Sequence, residues 1–265
     1  MGAGKLLLGL GVLGGIVYLA VRKKDGTTSG DGSSGTWTDD PTAGGGEGAT
    51  DDNAAGFDWP RVLQAVSGQE GAYGTLNPND VNRGVSWGII QFNQGAGSLG
   101  QVLKRWKELD PAGFTTWWQG NDRTDYGSQL IRILTDSSDA VRLSVALGSG
   151  VYADKLREAG KLAVVQQAQQ ELAWTMYMFP LLPLIGQTFG GINDVVAGVV
   201  FDRSVNQGPG FVKTLLGRIL TEYGPAEAGD WGGRLEQFRV RAAQGGGPAA
   251  ARITARLARV TAALA

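Results

Sequence analysis

Beyond residue 57, apolar side chains recur three and four positions apart, the spacing of one face of a helix. The segments "LGQVLKRWKEL", "YGSQLIRILTD", "AVRLSVALGSGVYADKLREAG", "KLAVVQQAQQELAWTMYMF" and "GFVKTLLGRILTEYG" all follow it. The tail "AARITARLARVTAAL" sets Ile253, Leu257, Val260 and Leu264 on one face and Arg252, Arg256 and Arg259 on another, as an ordinary amphipathic helix does. Ahead of these, Asp58 is placed to cap a helix with Pro60 in its first turn and Val62, Leu63 and Val66 as its buried stripe. That helix fades at Gly68 to Gly71 and leaves Glu70 on its last turn. The period then changes. "LNPNDVNRG" is dense in turn formers, and "GVSWGIIQF" reads as a strand with Val85, Trp87 and Ile89 on one face. The expected fold is mainly α: a helical domain over 57–265 with one small antiparallel β-hairpin inserted after its first helix.

The pattern before residue 57 is different in kind. Leu6 to Val21 is an uncharged, mostly apolar run of sixteen residues between Lys5 and the Arg22, Lys23, Lys24 cluster. A spanning helix needs about 20 residues, and Met1 to Gly4 with the snorkelling Lys5 and Arg22 supply the remainder. No small-residue cleavage site follows, so residues 1–24 are expected to be an uncleaved single-pass transmembrane anchor. The basic cluster on its C-terminal flank leans toward a head on the cytoplasmic side. Residues 25–56 hold nine glycines and seven acids without a lysine or arginine, the composition of a flexible, charge-extended linker.

Composition then restricts the chemistry. The 265 residues include no histidine and no cysteine. Ser-His-Asp and Cys-His catalysis, Cys/His zinc sites and disulfides are thereby excluded. No metal and no cofactor are expected, and hydrolytic chemistry falls to carboxylates, hydroxyls or lysines.

Glu70 on a helix end, Asp80 in the following turn, "RGVSWGIIQF" at Arg83 to Phe92 and "GAGSLGQVLKRW" from Gly95 together resemble the family 46 chitosanases of the lysozyme-like superfamily. Those enzymes carry a helix-borne glutamate, an aspartate in a turn, a strand of the type R-G-[YF]-[TS]-x-G-I-I-x-F and a G-x-G turn into a helix. "FDRSVNQGPG", Phe201 to Gly210, is similar to a later segment of that family and to a signature of phage-type muramidases. The resemblance covers most of Asp58 to Tyr223 and leaves out the anchor, the linker and the last forty residues. Counted back from the strand, the family's aspartate falls at Val81, one residue past Asp80, which is the only acid between Glu70 and Glu108.

Glycosidic cleavage needs a protonated carboxylic acid at the leaving oxygen, and usually a second carboxylate to activate water. Glu70, among apolar neighbours, is placed to hold its proton and donate it. The resemblance implies that Asp80 is the second carboxylate and that the Ser86 hydroxyl orients the attacking water. An Asx-turn role for Asp80, with single-acid chemistry of the lytic transglycosylase kind, is the alternative. The resemblance also implies a supporting ion pair between Arg83 and Asp202. Asn206 and Gln207 are read either as sugar-binding amides or as turn residues. Trp87, Trp117, Trp118 and Trp174 fit a core better than a sugar platform.

Charge bears on the substrate. Residues 57–265 carry twenty lysines and arginines against eighteen acids, once the four basic and seven acidic residues before them are set aside. A slightly basic head suits an anionic wall polymer better than polycationic chitosan. The expectation is a membrane-anchored, muramidase-like peptidoglycan hydrolase, a phage virion lysin for genome entry. Its partners would be glycan strands, the lipid bilayer and other virion membrane or capsid proteins, with no nucleic acid. A chitosanase, a wall-remodelling enzyme of the bacterial inner membrane and a catalytically inactive sugar-binding or structural virion protein are the alternatives.

Overall fold

The computed structural model describes residues 56–119, 125–244 and 249–265. The expected anchor at 1–24 and the linker up to residue 55 lie outside the described residues. Among the described residues, no helix is long and apolar enough to cross a membrane.

Helix α1 (Trp59–Glu70) starts where Asp58 accepts a hydrogen bond from the Arg61 backbone N–H, and it buries Val62, Leu63 and Val66. Its end sets the site. Gly71 has φ 144°, and its N–H closes on the Ser67 carbonyl at 2.8 Å. A side chain there would strike Thr75 at 2.7 Å, so glycine lets the chain turn away immediately after Glu70.

The chain then forms β1 (Leu76–Asn77), β2 (Ser86–Trp87) and β3 (Phe92–Asn93), a three-stranded antiparallel sheet in that order. Asn77 pairs with Ser86, and Ser86 pairs with Asn93. The expected single hairpin is therefore a small meander. The long strand read in "GVSWGIIQF" is interrupted, because Gly88 and Gln91 adopt φ of 87° and 56° and turn the chain. Val85, Ser86, Trp87, Ile89, Ile90 and Phe92 are all buried, so both faces are covered and no alternation shows. The buried Gln169 ties this insert to the helices, accepting from the Ile89 N–H and donating to the Tyr73 carbonyl, each at 3.0 Å.

The turn between β1 and β2 is strained. Val81 and Asn82 have φ of 46° and 65°, and the Arg83 N–H returns to the Asp80 carbonyl at 2.8 Å. Left-handed backbone costs an L-residue about 1–2 kcal/mol, with β-branched residues the least tolerant. Val81 is 84% exposed and gains no packing in return. Val81→Asn is expected to stabilise the domain by about 0.5–1 kcal/mol, a rise of roughly 1–4 °C in a thermal melt. A lower melting temperature would contradict this account of the turn.

The remainder is helical: α2 (Ser98–Leu109), α3 (Pro111–Trp118), α4 (Tyr126–Leu134), α5 (Asp139–Arg142), α6 (Gly150–Ala159), α7 (Ala163–Leu172), α8 (Leu182–Phe189), α9 (Asp194–Gln207), α10 (Pro209–Tyr223), α11 (Trp231–Gln244) and α12 (Ala250–Leu264). Two expected helices are broken. The pattern over 140–160 divides into α5 and α6, and that over 161–179 passes from α7 through a π-helical turn, Ala173–Met178, into a short 3₁₀ segment.

Helix α9 is the centre. Every residue from Val196 to Ser204 is buried, as in a helix enclosed on all sides. Helices α1, α8, α10, α11 and α12 pack around it. Gly198 faces α12, where a methyl group would meet Leu264 at 2.1 Å and Val260 at 3.2 Å. Its lack of a side chain lets α12 lie close along α9. All four apolar residues expected on the inner face of α12 are buried there.

Candidate active site

A cleft of ≈ 910 Å³ opens between the sheet and the helical body. Glu70, Tyr177, Asn206 and Gln207 line it from the helices, and Asn77, Asp80, Gln91 and Asn93 line it from the sheet region. Glu70 arrives from the last turn of α1, Asp80 from the strained turn, and Asn206 and Gln207 from the last turn of α9.

Glu70 is tightly held. Its Oε1 accepts from Arg256 Nη2 at 2.6 Å and from Asn206 Nδ2 at 3.3 Å. The same guanidinium donates through Nε to Asp202 Oδ1 at 2.5 Å, so Arg256 bridges two carboxylates. The side chains of Glu70, Arg256 and Asp202 are 15%, 16% and 0% exposed. Asp202 Oδ2 has no hydrogen-bond partner among the described residues. Burial raises the Glu70 pKa above its ordinary value; Arg256 opposes the rise and the Asp202 charge adds to it. Burial likewise raises Asp202, again against Arg256. Arg203 and Arg259 also act to lower Asp202, so burial, the largest influence on Glu70, is what favours a retained proton there.

Asp80 sits in a different setting. Its Oδ2 accepts from Ser86 Oγ at 2.6 Å and from Asn93 Nδ2 at 3.2 Å, and Asn93 Nδ2 also lies 3.0 Å from Ser86 Oγ. Two neutral donors orient this carboxylate without a cation, while Oδ1 makes no hydrogen bond among the described residues. An acid held for its proton and a carboxylate oriented by neutral donors therefore line one cleft. That is the division of labour that general acid and general base require.

Several expectations need correction. Arg83 does not pair with Asp202. It meets Asp139 at 3.2 Å, with both side chains more than half exposed, where an ion pair contributes little. Asp202 pairs with Arg256 instead, because α9 buries it on the side that α12 covers. Ser86 is fully buried and donates its hydroxyl to Asp80 at 2.6 Å. Asn206 faces Glu70 and also donates to the Asp202 carbonyl at 2.8 Å. Gln207 lines the cleft. Trp87 and Trp118 are core, while Trp117 and Trp174 pack against it; none lines the cleft. Among the described residues no cluster of His, Cys, Asp or Glu has the arrangement of a metal site.

Two residues of the site escaped the sequence reading. Asn93 directly follows the strand motif and differs little from other turn amides. Arg256 lies in the tail beyond the resembling region, and its only signal was the row of arginines opposite the apolar face of α12.

No protein-family model matches the chain, and a search of curated proteins finds no match. Solved structures do match. A native chitosanase from Bacillus subtilis MY002 superposes with a TM-score of 0.55 at 16% identity, over 77% of this chain and 86% of that one. A family 46 chitosanase from Gynuella sunshinyii, solved with chitotetraose, gives 0.56 at 16% identity, over 78% and 85%. The likeness to family 46 chitosanases seen in two short motifs thus extends to the fold of the domain.

Proposed function

We propose that this domain is a glycoside hydrolase that cleaves β-1,4 bonds in the glycan strands of peptidoglycan. The observation that carries this is the pairing of Glu70 and Asp80 in one cleft of a chitosanase fold, with Glu70 buried toward its protonated form. Protonated Glu70 gives its proton to the glycosidic oxygen as the bond to the anomeric carbon breaks. Asp80 takes a proton from water as the water oxygen bonds to that carbon, and proton exchange with solvent then restores both groups. Arg256 and Asp202 set the proton affinity of Glu70, and Ser86 and Asn93 aim Asp80.

The choice of polymer is supported by the lining. Its charged groups are Glu70, Asp80 and Arg83, and both acids are committed to the chemistry. The rest is rich in amides, with Asn77, Gln91, Asn93, Asn206 and Gln207, groups that suit N-acetylated sugars. A cleft for a polycation gains from surplus carboxylates, which this one lacks. Chitosanase is the second reading, favoured by the fold neighbours.

In the same proposal, residues 1–24 tether the enzyme to a membrane through the 25–56 linker. The setting we favour is a phage virion with an internal membrane, where the enzyme opens the wall for genome entry. A bacterial inner membrane is the other setting. Reducing-end release should be faster on purified peptidoglycan than on fully deacetylated chitosan. Faster turnover of chitosan would overturn the charge argument and leave the second reading in place.

A further inference from the structure

Gly208 and Pro209 line the cleft, and the next two residues, Gly210 and Phe211, line a separate groove of ≈ 420 Å³ between α10 and α11. Thr214, Arg218 and Arg241 border both this groove and a further one of ≈ 540 Å³. Thr214, Arg218 and Thr221 stand four and three residues apart, one stripe of α10 leading away from the cleft.

The charge along this stripe is unbalanced. Among the described residues Glu222 is the only acid bordering either groove, and Arg241 already occupies it at 2.5 Å. The hydroxyls of Thr214 and Thr221 donate to their own helix, at the Gly210 and Gly217 carbonyls. Arg218 is exposed and has no hydrogen-bond or carboxylate partner among the described residues. Its guanidinium therefore offers unused donors in a fork that matches a carboxylate.

We infer that the α10–α11 groove binds the carboxylates of a peptide substituent on the glycan strand whose sugars lie in the cleft, with Arg218 as the principal contact. This rests on the glycan-hydrolase reading and extends it from the sugar backbone to its acidic side chain. The dimensions agree. Nine residues of helix separate Pro209 from Arg218, about 14 Å, which an extended peptide of about four residues spans. Phe211, 36% exposed at the entrance, supplies an apolar contact on the way. A neutral or cationic polymer would leave this stripe unused.

The test uses the full chain with Glu70→Gln, so that binding is measured without turnover, and compares it with the same chain also carrying Arg218→Glu. Sedimentation with purified peptidoglycan sacculi should show binding weakened about fivefold at low salt. The difference should vanish at molar salt, where the Debye length falls to about 3 Å. In the active chain, Arg218→Glu should raise KM on sacculi at unchanged kcat, and leave KM on uncharged N-acetylglucosamine oligomers unaltered. Equal binding of sacculi by both chains at low salt would overturn the inference. So would a loss of equal size on the uncharged oligomers. If Arg218 governs sacculus binding while the active chain releases no reducing ends, the groove assignment stands and the hydrolase reading falls.

Discussion

Glu70→Gln is expected to lower kcat on peptidoglycan by at least about 10²–10⁴-fold, the range that general acid catalysis supplies. Glutamine keeps an oxygen for Arg256 and Asn206, which now bond Glu70 Oε1, but has no proton to give. The fold should survive, and circular dichroism with a thermal melt separates lost chemistry from lost structure. Because the acid must be protonated to act, wild-type kcat/KM should fall as pH rises through the raised Glu70 pKa. Asp80→Asn keeps an acceptor for Ser86 and loses the charge that draws a proton from water, so its loss should be of similar order. Near-full activity in the Glu70 variant would remove the basis for the proposed function.

Arg256→Leu is expected to destabilise the domain by about 3–5 kcal/mol, because it leaves two buried carboxylates without their shared cation. For a domain of this size that is a fall of roughly 10 °C in melting temperature. The pH dependence is the sharper test. Both acids already have folded pKa values raised by burial, and removing the arginine that opposes the rise pushes them higher. A group whose folded pKa exceeds its unfolded value binds protons more strongly in the folded state, so stability falls as pH rises between the two values. The deficit of Arg256→Leu relative to wild type should therefore be smaller near pH 4 than near pH 8, pH values taken about the ordinary carboxylate range. A deficit independent of pH would show that Arg256 serves packing alone. Where the variant remains folded, the alkaline limb of its activity profile should move upward with the Glu70 pKa.

Caps and periodicity act over a few residues, and those features were legible in the chain. Asp58, Pro60 and the Val62, Leu63, Val66 stripe placed α1 and brought Glu70 to its end. The spacing of Ile253, Leu257, Val260 and Leu264 defined the buried face of α12. The limits of the sheet were not legible. Consecutive residues are buried on both of its faces, which erases the alternation that marks a half-exposed strand.

The arrangement around Glu70 had no local signal at all. Arg256 lies 186 positions further along the chain, and its place on the polar face of α12 is compatible with plain solvent exposure. It becomes the partner of Glu70 and Asp202 only because α12 packs along α9 at Gly198 and beside α1. The same dependence misled the reading of Arg83. Its place in the strand motif pointed to Asp202, yet the folded chain sets it at the exposed Asp139. Which residues could carry a proton or a charge follows from residue type and local pattern. Which charges meet depends on how whole helix faces pack. Burial by that packing then raises the Glu70 pKa by withdrawing its carboxyl from the solvent that stabilises the charge.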